Sequence, residues 1–355
     1  MSYLIIIAAS VVSFLAFPAL AHAEVAESTQ SQKPPVKVVL TGEVGGGQTT
    51  PSPTSSTSSF FYERAAVRVS PDPKLDLRVN FRATEDLARA PDTGSTYATK
   101  GDVVLYGGLD GSYDLSDHFT LTLGANGSPK SQRDIWTSIL AARPNGTSQT
   151  VNAAVRSNSS SIGGLAEIGY DSADDARLHA VEVAVDLSGA VTRFETEQTV
   201  LAPVSATRLD KPQSASLVQA RVGAAATVTV LENTDLSLDF AYFVYDQPNP
   251  NDVGLFTSSA ASGLTTSFGA GLPMLPARCT LRPEVGERIG LVALSVHYQY
   301  ANLSFEQATG HTIGGRAQIA LGSAKIYALA SYRADVFTDA TAATWTAGAG
   351  ASFRL

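Results

Sequence analysis

Arginines and carboxylates recur at strand spacing, and they are the residues of this chain best suited to electrostatic chemistry. Arg64 and Arg68 lie four residues apart, as do Arg78 and Arg82. Because side chains of a β-strand alternate between two faces, residues four apart point the same way. Other charged residues at polar-face positions are Glu167, Glu182, Asp186, Asp239, Arg316 and Arg354. Charges that line a wall create a field that orders water and favours polar solutes.

Catalytic chemistry has weaker support in the sequence. Ser295 and His297 stand two positions apart on one strand-like face, and no other serine and histidine form a pair of that kind. A polar strand face produces such a pair readily by chance. The run Gly45-Gly46-Gly47 is not followed by the Lys-Ser/Thr of a phosphate-binding loop. We therefore expect no enzyme activity and no cofactor.

Metal and nucleic-acid binding are also poorly supported. No His, Asp and Glu cluster has metal-ligand spacing, and Cys279 is the single cysteine. One cysteine allows neither a disulfide within the chain nor a thiolate-rich metal site. The net charge of −8 argues against nucleic acid, because proteins that bind it carry a basic patch.

The composition favours strands as the elements that position these residues. Only 16% of the 355 residues are charged, whereas soluble proteins carry about 25%. Downstream of the first residues, no apolar run approaches the ~20 residues that a membrane helix requires. The mature chain is therefore either soluble or crosses a membrane as strands, since only helices and closed barrels satisfy the backbone in lipid.

Alternation of apolar and polar residues marks the strands directly. The segment 75–82 places Leu75, Leu77 and Val79 on one face, and Asp76 and Arg78 on the other. The same alternation is found in 118–125, 178–188, 217–230, 235–244, 292–300 and 342–355. Counting all such segments from 36–46 onward predicts about fourteen strands, with twelve and sixteen left open.

Short and long connections alternate between these segments. Short turns are predicted at 70–74, 114–117, 171–175, 232–235 and 322–325, with a less regular one at 282–287. Longer polar stretches lie around 47–58, 89–99, 127–152, 194–213, 246–262, 304–311 and 336–341. Outer-membrane barrels have short periplasmic turns and longer outer loops, so the alternation is typical of that class.

The two ends of the chain carry export and assembly patterns. Leu4 to Phe17 form an apolar run that precedes Ala21-His22-Ala23, a pattern typical of a cleaved signal peptide over 1–23. The last strand-like segment carries Gly350, Phe353 and Leu355, which resemble the C-terminal signal read by the barrel-assembly machinery. The chain thus resembles a Gram-negative outer-membrane β-barrel protein of the porin-like class.

This resemblance implies an all-β fold, a closed antiparallel up-and-down transmembrane barrel. The signal peptide would be followed by a disordered lead-in at 24–35 and the barrel at 36–355. The protein would be integral to the cell outer membrane and contact its lipid, and it would meet the barrel-assembly machinery during biogenesis. A homo-oligomer is left open, and a soluble secreted β-protein is the alternative fold class.

Within a barrel, the polar strand faces would line the lumen. The residues predicted to line a pore are Arg64, Arg68, Arg78, Arg82, Glu182, Asp186, Asp239 and Arg316. Barrel closure would gather the arginines on one wall and the acidic residues on the opposite wall. Local pairing of these charges is the alternative. Aromatic residues near strand ends would form two girdles at the membrane interfaces. They are Phe60, Phe61, Tyr62, Tyr113, Phe119, Tyr170, Tyr242, Phe243, Tyr245, Tyr298, Tyr300, Tyr332 and Trp345.

The stretch Gly127 to Asn152 is predicted to be the longest loop. Asp134, Ile135, Trp136 and Ile139 follow a helical spacing within it. An amphipathic turn there would fold inward to constrict the barrel, as in general porins, or cap it, or contact a neighbouring subunit.

Taken together, these patterns predict a porin-like channel for passive diffusion of small polar or ionic solutes. The alternative is a non-conducting outer-membrane barrel that serves adhesion, envelope structure or an export complex. A third hypothesis is a lipid-hydrolysing barrel that uses Ser295 and His297.

Overall fold

A computed structural model describes most of the chain from residue 36 onward. The described residues are 36–51, 58–87, 98–100, 103–142, 148–172, 180–202, 207–208, 213–246, 277–303, 308–336 and 341–355. The predicted signal peptide and the predicted lead-in lie outside the described residues, so both stay predictions.

All elements in the described ranges are β-strands. They are β1 Lys37–Pro51, β2 Ser58–Asp72, β3 Leu75–Leu87, β4 Ala98–Lys100, β5 Val103–Asp114, β6 Phe119–Ala142, β7 Ser148–Asp171, β8 Val181–Ala202, β9 Thr207–Arg208, β10 Gln213–Leu231, β11 Thr234–Tyr245, β12 Cys279–Ile289, β13 Val292–Leu303, β14 Ala308–Leu321, β15 Ala324–Val336 and β16 Thr341–Arg354. Among these residues, no helix is long and apolar enough to cross a membrane.

The strands form a closed antiparallel barrel. Each long strand pairs with the next long strand along the chain, and β16 returns to pair with β1, with Arg354 opposite Val39. The short β4 and β9 extend the pairing of β6 and β8, while β8 also pairs directly with β10. The remaining fourteen strands complete the barrel, which confirms the predicted fold class and strand number.

Alternation along each strand sorts the side chains between two faces. On β11, Leu236, Leu238 and Phe240 are exposed on the outer face, whereas Ser237 and Asp239 point to the interior. Similar outward positions hold Val79 on β3 and Val185 on β8, both about half exposed. The molecule therefore has an apolar outside and a polar inside, the reverse of a soluble protein.

Tight turns join the strands at one end of the barrel, and those predicted at 70–74, 114–117, 232–235 and 322–325 are confirmed. Most of the turn predicted at 171–175 lies outside the described residues and stays a prediction. Asp72 accepts a hydrogen bond from the Lys74 amide (3.0 Å) between β2 and β3, and Ser116 accepts one from the Phe119 amide (3.2 Å) before β6. Short polar side chains of this kind stabilise turns by capturing backbone groups. Lys37 and Arg354 lie at this same end, because β1 starts and β16 ends there.

The predicted turn at 282–287 is wrong. Those residues continue β12, and the chain instead reverses at Gly290, whose φ is 61°. This left-handed conformation suits glycine, which has no Cβ to clash with the backbone. Pro283 and Gly286, which imitate a turn in the sequence, pair with Leu238 and Asp235 of β11.

The predicted loop over 127–152 is wrong in its local structure. Strand β6 continues to Ala142 and pairs with β7, with Trp136 opposite Ala154. Each of these strands has 24 residues. The positions of Asp134, Ile135, Trp136 and Ile139 are thus extended rather than helical, since a long hairpin satisfies their backbone groups through its ladder. Their role as constriction or cap stays a prediction.

The aromatic residues are divided between the faces. Tyr113, Phe119 and Tyr170 lie on the outer face at the turn end, where the Phe119 and Tyr170 rings are 5.2 Å apart. Tyr298 and Trp345 lie on the outer face of the opposite half. However, Phe60, Tyr62, Phe243 and Tyr245 occupy interior positions, so these four residues do not belong to a girdle.

Candidate functional site

The candidate site is a group of charged and aromatic side chains on the inner wall where the first and last strands meet. We call it the seam cluster, and its members are Glu43, Tyr62, Arg64, Arg82, Arg316 and Tyr327. They come from β1, β2, β3, β14 and β15, which barrel closure makes neighbours. The sequence separation within the cluster is therefore large, although its members lie side by side.

Glu43 is the acidic centre of the seam cluster. Its side chain is 9% exposed and lies 3.4 Å from the Arg64 guanidinium. The Tyr327 hydroxyl donates a hydrogen bond to the other carboxylate oxygen (3.0 Å). A carboxylate that is this buried is stabilised by the charged and hydrogen-bonding partners around it.

The two tyrosine rings contact the three guanidinium groups. The Arg64 and Arg82 guanidinium carbons lie 5.1 Å and 5.8 Å from the centre of the Tyr62 ring. The Arg316 guanidinium carbon lies 3.9 Å from the centre of the Tyr327 ring. These distances are typical of cation–π contacts, which hold the arginine heads against the wall.

Glycines make room for the tyrosine rings. A Cβ added at Gly45 would lie 2.6 Å from the Tyr62 hydroxyl oxygen, and one added at Gly348 would contact the same oxygen. The Tyr327 ring covers Gly350 in the same way. The small residues of β1 and β16 therefore let the aromatic rings lie flat against the barrel wall.

The seam cluster faces a cavity of about 530 Å³ in the lumen. Arg64, Arg82 and Arg316 line it from the seam, and Arg282 and His297 line it from β12 and β13. Arg282 contacts Glu284 (2.6 Å) and lies 4.0 Å from Asp239. The cavity is thus lined largely by charged and polar side chains, with Phe60 and Leu329 among its apolar members, and arginines are in excess on the seam side.

The remaining predicted pore-lining residues also point inward, but most of them pair locally. Arg68 pairs with Asp76, Arg78 with Asp110 (3.1 Å), and Arg221 with Asp186. Glu182 lies at the turn end of β8, opposite Thr227. The predicted separation into one basic and one acidic wall is thus wrong, because carboxylates of neighbouring strands neutralise these arginines. Three of the predicted arginines, Arg64, Arg82 and Arg316, do converge on one cavity.

Several interior charges were missed by the sequence reasoning. Arg282 and Glu284 lie on β12 within the predicted turn at 282–287, where Pro283 and Gly286 interrupt the strand pattern of the sequence. Glu43 lies beside a run of three glycines, which weakens the strand pattern of β1. Arg333 and Asp335 pair at 2.8 Å near the outer end of β15, and Asp335 is 1% exposed. Following every second residue along β15 would have placed Arg333 and Asp335 on its polar face.

Ser295 and His297 both line the cavity and face away from the outer surface. Gly314 lies opposite His297, and a Cβ at Gly314 would lie 2.5 Å from the imidazole Cε1. Within the described ranges, no group of three or more His, Cys, Asp and Glu side chains is arranged to hold a metal ion.

The predicted assembly signal lies in and just after β16. Gly350 faces the lumen under Tyr327, and Phe353 lies opposite Leu40 of β1. The Leu355 amide donates a hydrogen bond to the Val38 carbonyl (2.9 Å). Recognition of these residues by the barrel-assembly machinery stays a prediction.

Solved structures with the same fold are outer-membrane barrels. The CymD monoaromatic hydrocarbon channel is similar with a TM-score of 0.54 at 11% identity, covering 90% of this chain and 88% of that chain. The chain has an outer-membrane β-barrel fold. The toluene transporter TodX of Pseudomonas putida has a TM-score of 0.51 at 9% identity, covering 90% of this chain and 89% of that chain. A FadL homologue of Pseudomonas aeruginosa has a TM-score of 0.51 at 9% sequence identity, and the match covers 90% of each chain.

Sequence comparison gives no closer assignment. No family model matches the chain, and no curated protein matches it either. At 9–11% sequence identity, the structural likeness shows the fold alone.

Proposed function

We propose that the protein is an outer-membrane channel through which small polar or ionic solutes diffuse passively. The observation that carries this proposal is the composition of the lumen. Charged side chains such as Arg64, Arg82 and Arg282 surround a cavity of about 530 Å³, while the outer face is apolar. Polar linings of this kind set the selectivity of a channel through its width and wall charge.

Two of the similar structures are described as monoaromatic hydrocarbon or toluene proteins. A hydrocarbon path through this lumen would have to pass guanidinium and carboxylate groups, whose desolvation is costly. The charged lining thus favours polar solutes over hydrocarbons. We propose that the protein is not an enzyme. We also propose that outer-membrane lipid surrounds its apolar outer face.

Proteoliposome swelling tests the proposal. The refolded mature chain should swell liposomes in isotonic glycine or pentose, and the rate should fall as the solute grows. Heat-modifiable migration on a gel would verify that the reconstituted barrel is folded. If a folded barrel gave no swelling with any polar solute, the non-conducting alternative would replace this proposal. If toluene equilibrated but glycine did not, a hydrocarbon channel would replace it.

A further inference from the structure

We propose that the seam cluster is a binding site for the doubly charged phosphoryl group of a small solute. This inference rests on the proposed function, because the lumen is the route by which a solute reaches the cluster. Three features of the cluster lead to it, namely an unfavourable pair of arginines, an excess of positive charge and the space beside them.

The first feature is that Arg64 and Arg82 are direct cross-strand partners on β2 and β3. Like charges in that position destabilise a sheet. A second like-charged pair, Arg68 and Arg78, lies four residues along the same strands. There, however, each arginine has its own carboxylate, Asp76 for the first and Asp110 for the second.

Arg82 has no carboxylate of its own within the described strands and only shares the attraction of Glu43, which is paired with Arg64. Among the described residues, no carboxylate forms an ion pair with it, and its Nε is buried without a hydrogen-bond partner. A buried donor without a hydrogen-bond partner destabilises the folded state. Arg82 thus lowers the stability of the empty barrel through its contact with Arg64 and through its unpartnered Nε. A bound anion that accepts its hydrogen bonds would offset both effects.

The second feature is the charge balance. Arg64, Arg82 and Arg316 carry three positive charges, and Glu43 is the one carboxylate of the cluster. Glu43 is already engaged by Arg64 and by the Tyr327 hydroxyl. Arg316 packs on Tyr327 and donates to the Gln318 side chain (3.2 Å), with no carboxylate paired to it in the described part of the chain. The cluster therefore has an excess of two positive charges, which matches a phosphoryl dianion. The other two arginines that line the cavity, Arg282 and Arg333, are paired with Glu284 and Asp335.

The third feature is geometry. Guanidinium groups bind phosphate oxygens through two parallel hydrogen bonds, and a phosphoryl group has enough oxygens for more than one arginine. The three arginines line the same cavity of about 530 Å³, which lies within the ~300–1,000 Å³ of small-molecule sites. A phosphoryl group with a small organic substituent would therefore fit there.

Calorimetric titration of the refolded barrel with inorganic phosphate, in phosphate-free detergent and buffer, tests the site directly. The unmodified barrel should bind phosphate, and Arg82→Met and Arg316→Met should each weaken binding about tenfold or more. Arg288→Met is the matched control, because Arg288 lies at the turn end of β12 and does not line the cavity. It removes the same charge and should leave phosphate affinity within about twofold.

Equal loss of phosphate affinity in all three variants would overturn the site and indicate a nonspecific effect of lumen charge. Unchanged affinity in Arg82→Met and Arg316→Met would also overturn it. Conductance separates this inference from the proposed function. A barrel that conducts chloride but binds no phosphate contradicts the site alone. A folded barrel that binds phosphate through Arg82 but never conducts supports the site and contradicts the channel.

Discussion

At the residue scale, the lumen is organised by ion pairs between neighbouring strands. Arg78 on β3 with Asp110 on β5 (3.1 Å) and Arg282 on β12 with Asp239 on β11 (4.0 Å) illustrate the rule. Such pairs let a polar interior form without a large net field. Arg82 departs from this rule, since it lies opposite Arg64 and has no carboxylate of its own among the described residues.

Because Arg82 lies opposite Arg64, we expect that removing its charge does not destabilise the barrel. Arg82→Met should leave the free energy of unfolding unchanged or raise it by up to about 1 kcal/mol, because it removes a like-charge contact. Glu43→Gln should lower it by about 1–3 kcal/mol, since Arg64 and Tyr327 lose a charged partner. Urea unfolding followed by tryptophan fluorescence would measure both. A large loss of stability in Arg82→Met would mean that the arginine is structural.

Sequence reasoning located some of these residues and missed others for identifiable reasons. Arg64 and Arg82 could be predicted because alternation is strictly local. Their neighbour Glu43 was missed because three glycines weaken the pattern of β1. Which carboxylate neutralises which arginine depends on strand register, and register depends on residues far apart in sequence. The pairing of Arg78 with Asp110 spans 32 positions and could not be inferred from spacing.

At the element scale, close approach of tyrosine rings to glycines holds the seam between β1 and β16. Tyr62 is 3% exposed and lies over Gly45 and Gly348. A Cβ at Gly45 would also lie 2.5 Å from the Ala347 carbonyl oxygen, which is backbone and has little freedom to move. The contact thus couples the first strand to the last.

We expect Gly45→Ala to lower the free energy of unfolding by about 1–3 kcal/mol, the range for overpacking a well-packed site. Gly169→Ala is the control, because its added Cβ would meet only the Thr120 carbonyl oxygen at 3.9 Å. That control should change stability by less than about 0.5 kcal/mol. Urea midpoints of the two refolded variants would provide the comparison. If Gly45→Ala and Gly169→Ala shifted the urea midpoint equally, the role assigned to the Tyr62 contact would be contradicted.

The two faces of one strand provide a test of orientation. Leu238 is 48% exposed on the outer face of β11, and the adjacent Ser237 points inward next to Glu284. In liposomes, Leu238→Arg should cost about 2–4 kcal/mol if that face meets lipid. Ser237→Arg should cost less than about 1 kcal/mol, because the lumen is polar. If Ser237→Arg lowered the free energy of unfolding more than Leu238→Arg did, Ser237 rather than Leu238 would face the lipid.

The β6–β7 hairpin extends well beyond what a membrane requires. Its strands of 24 residues are about 80 Å long, whereas about 9–11 residues span a bilayer. Replacing 133–157 with Asn-Gly would join the cross-strand partners Gln132 and Asn158. We expect the shortened barrel to keep its urea midpoint. A rise in conductance would support the constriction predicted for this region, and unchanged conductance would assign it to the exterior.

At the scale of the whole molecule, one closed sheet separates an apolar exterior from a charged interior. The fold class and the fourteen strands could be predicted because alternation and connection lengths repeat along the entire chain. The extent of the hairpins could not, because polar residues form a strand as readily as a loop once a partner strand satisfies their backbone groups. The β6–β7 hairpin is the clearest instance of that ambiguity.

We propose that this barrel encloses a water-filled path lined by Arg64, Arg82, Arg316 and their neighbours. Single-channel recording of refolded residues 24–355 in a planar bilayer, under a potassium chloride gradient, tests this path. We predict stable conductance steps with a reversal potential of the sign for anion preference, and Arg82→Met should shift that potential toward cation preference. Electrical silence from a folded, heat-modifiable barrel would contradict the claim.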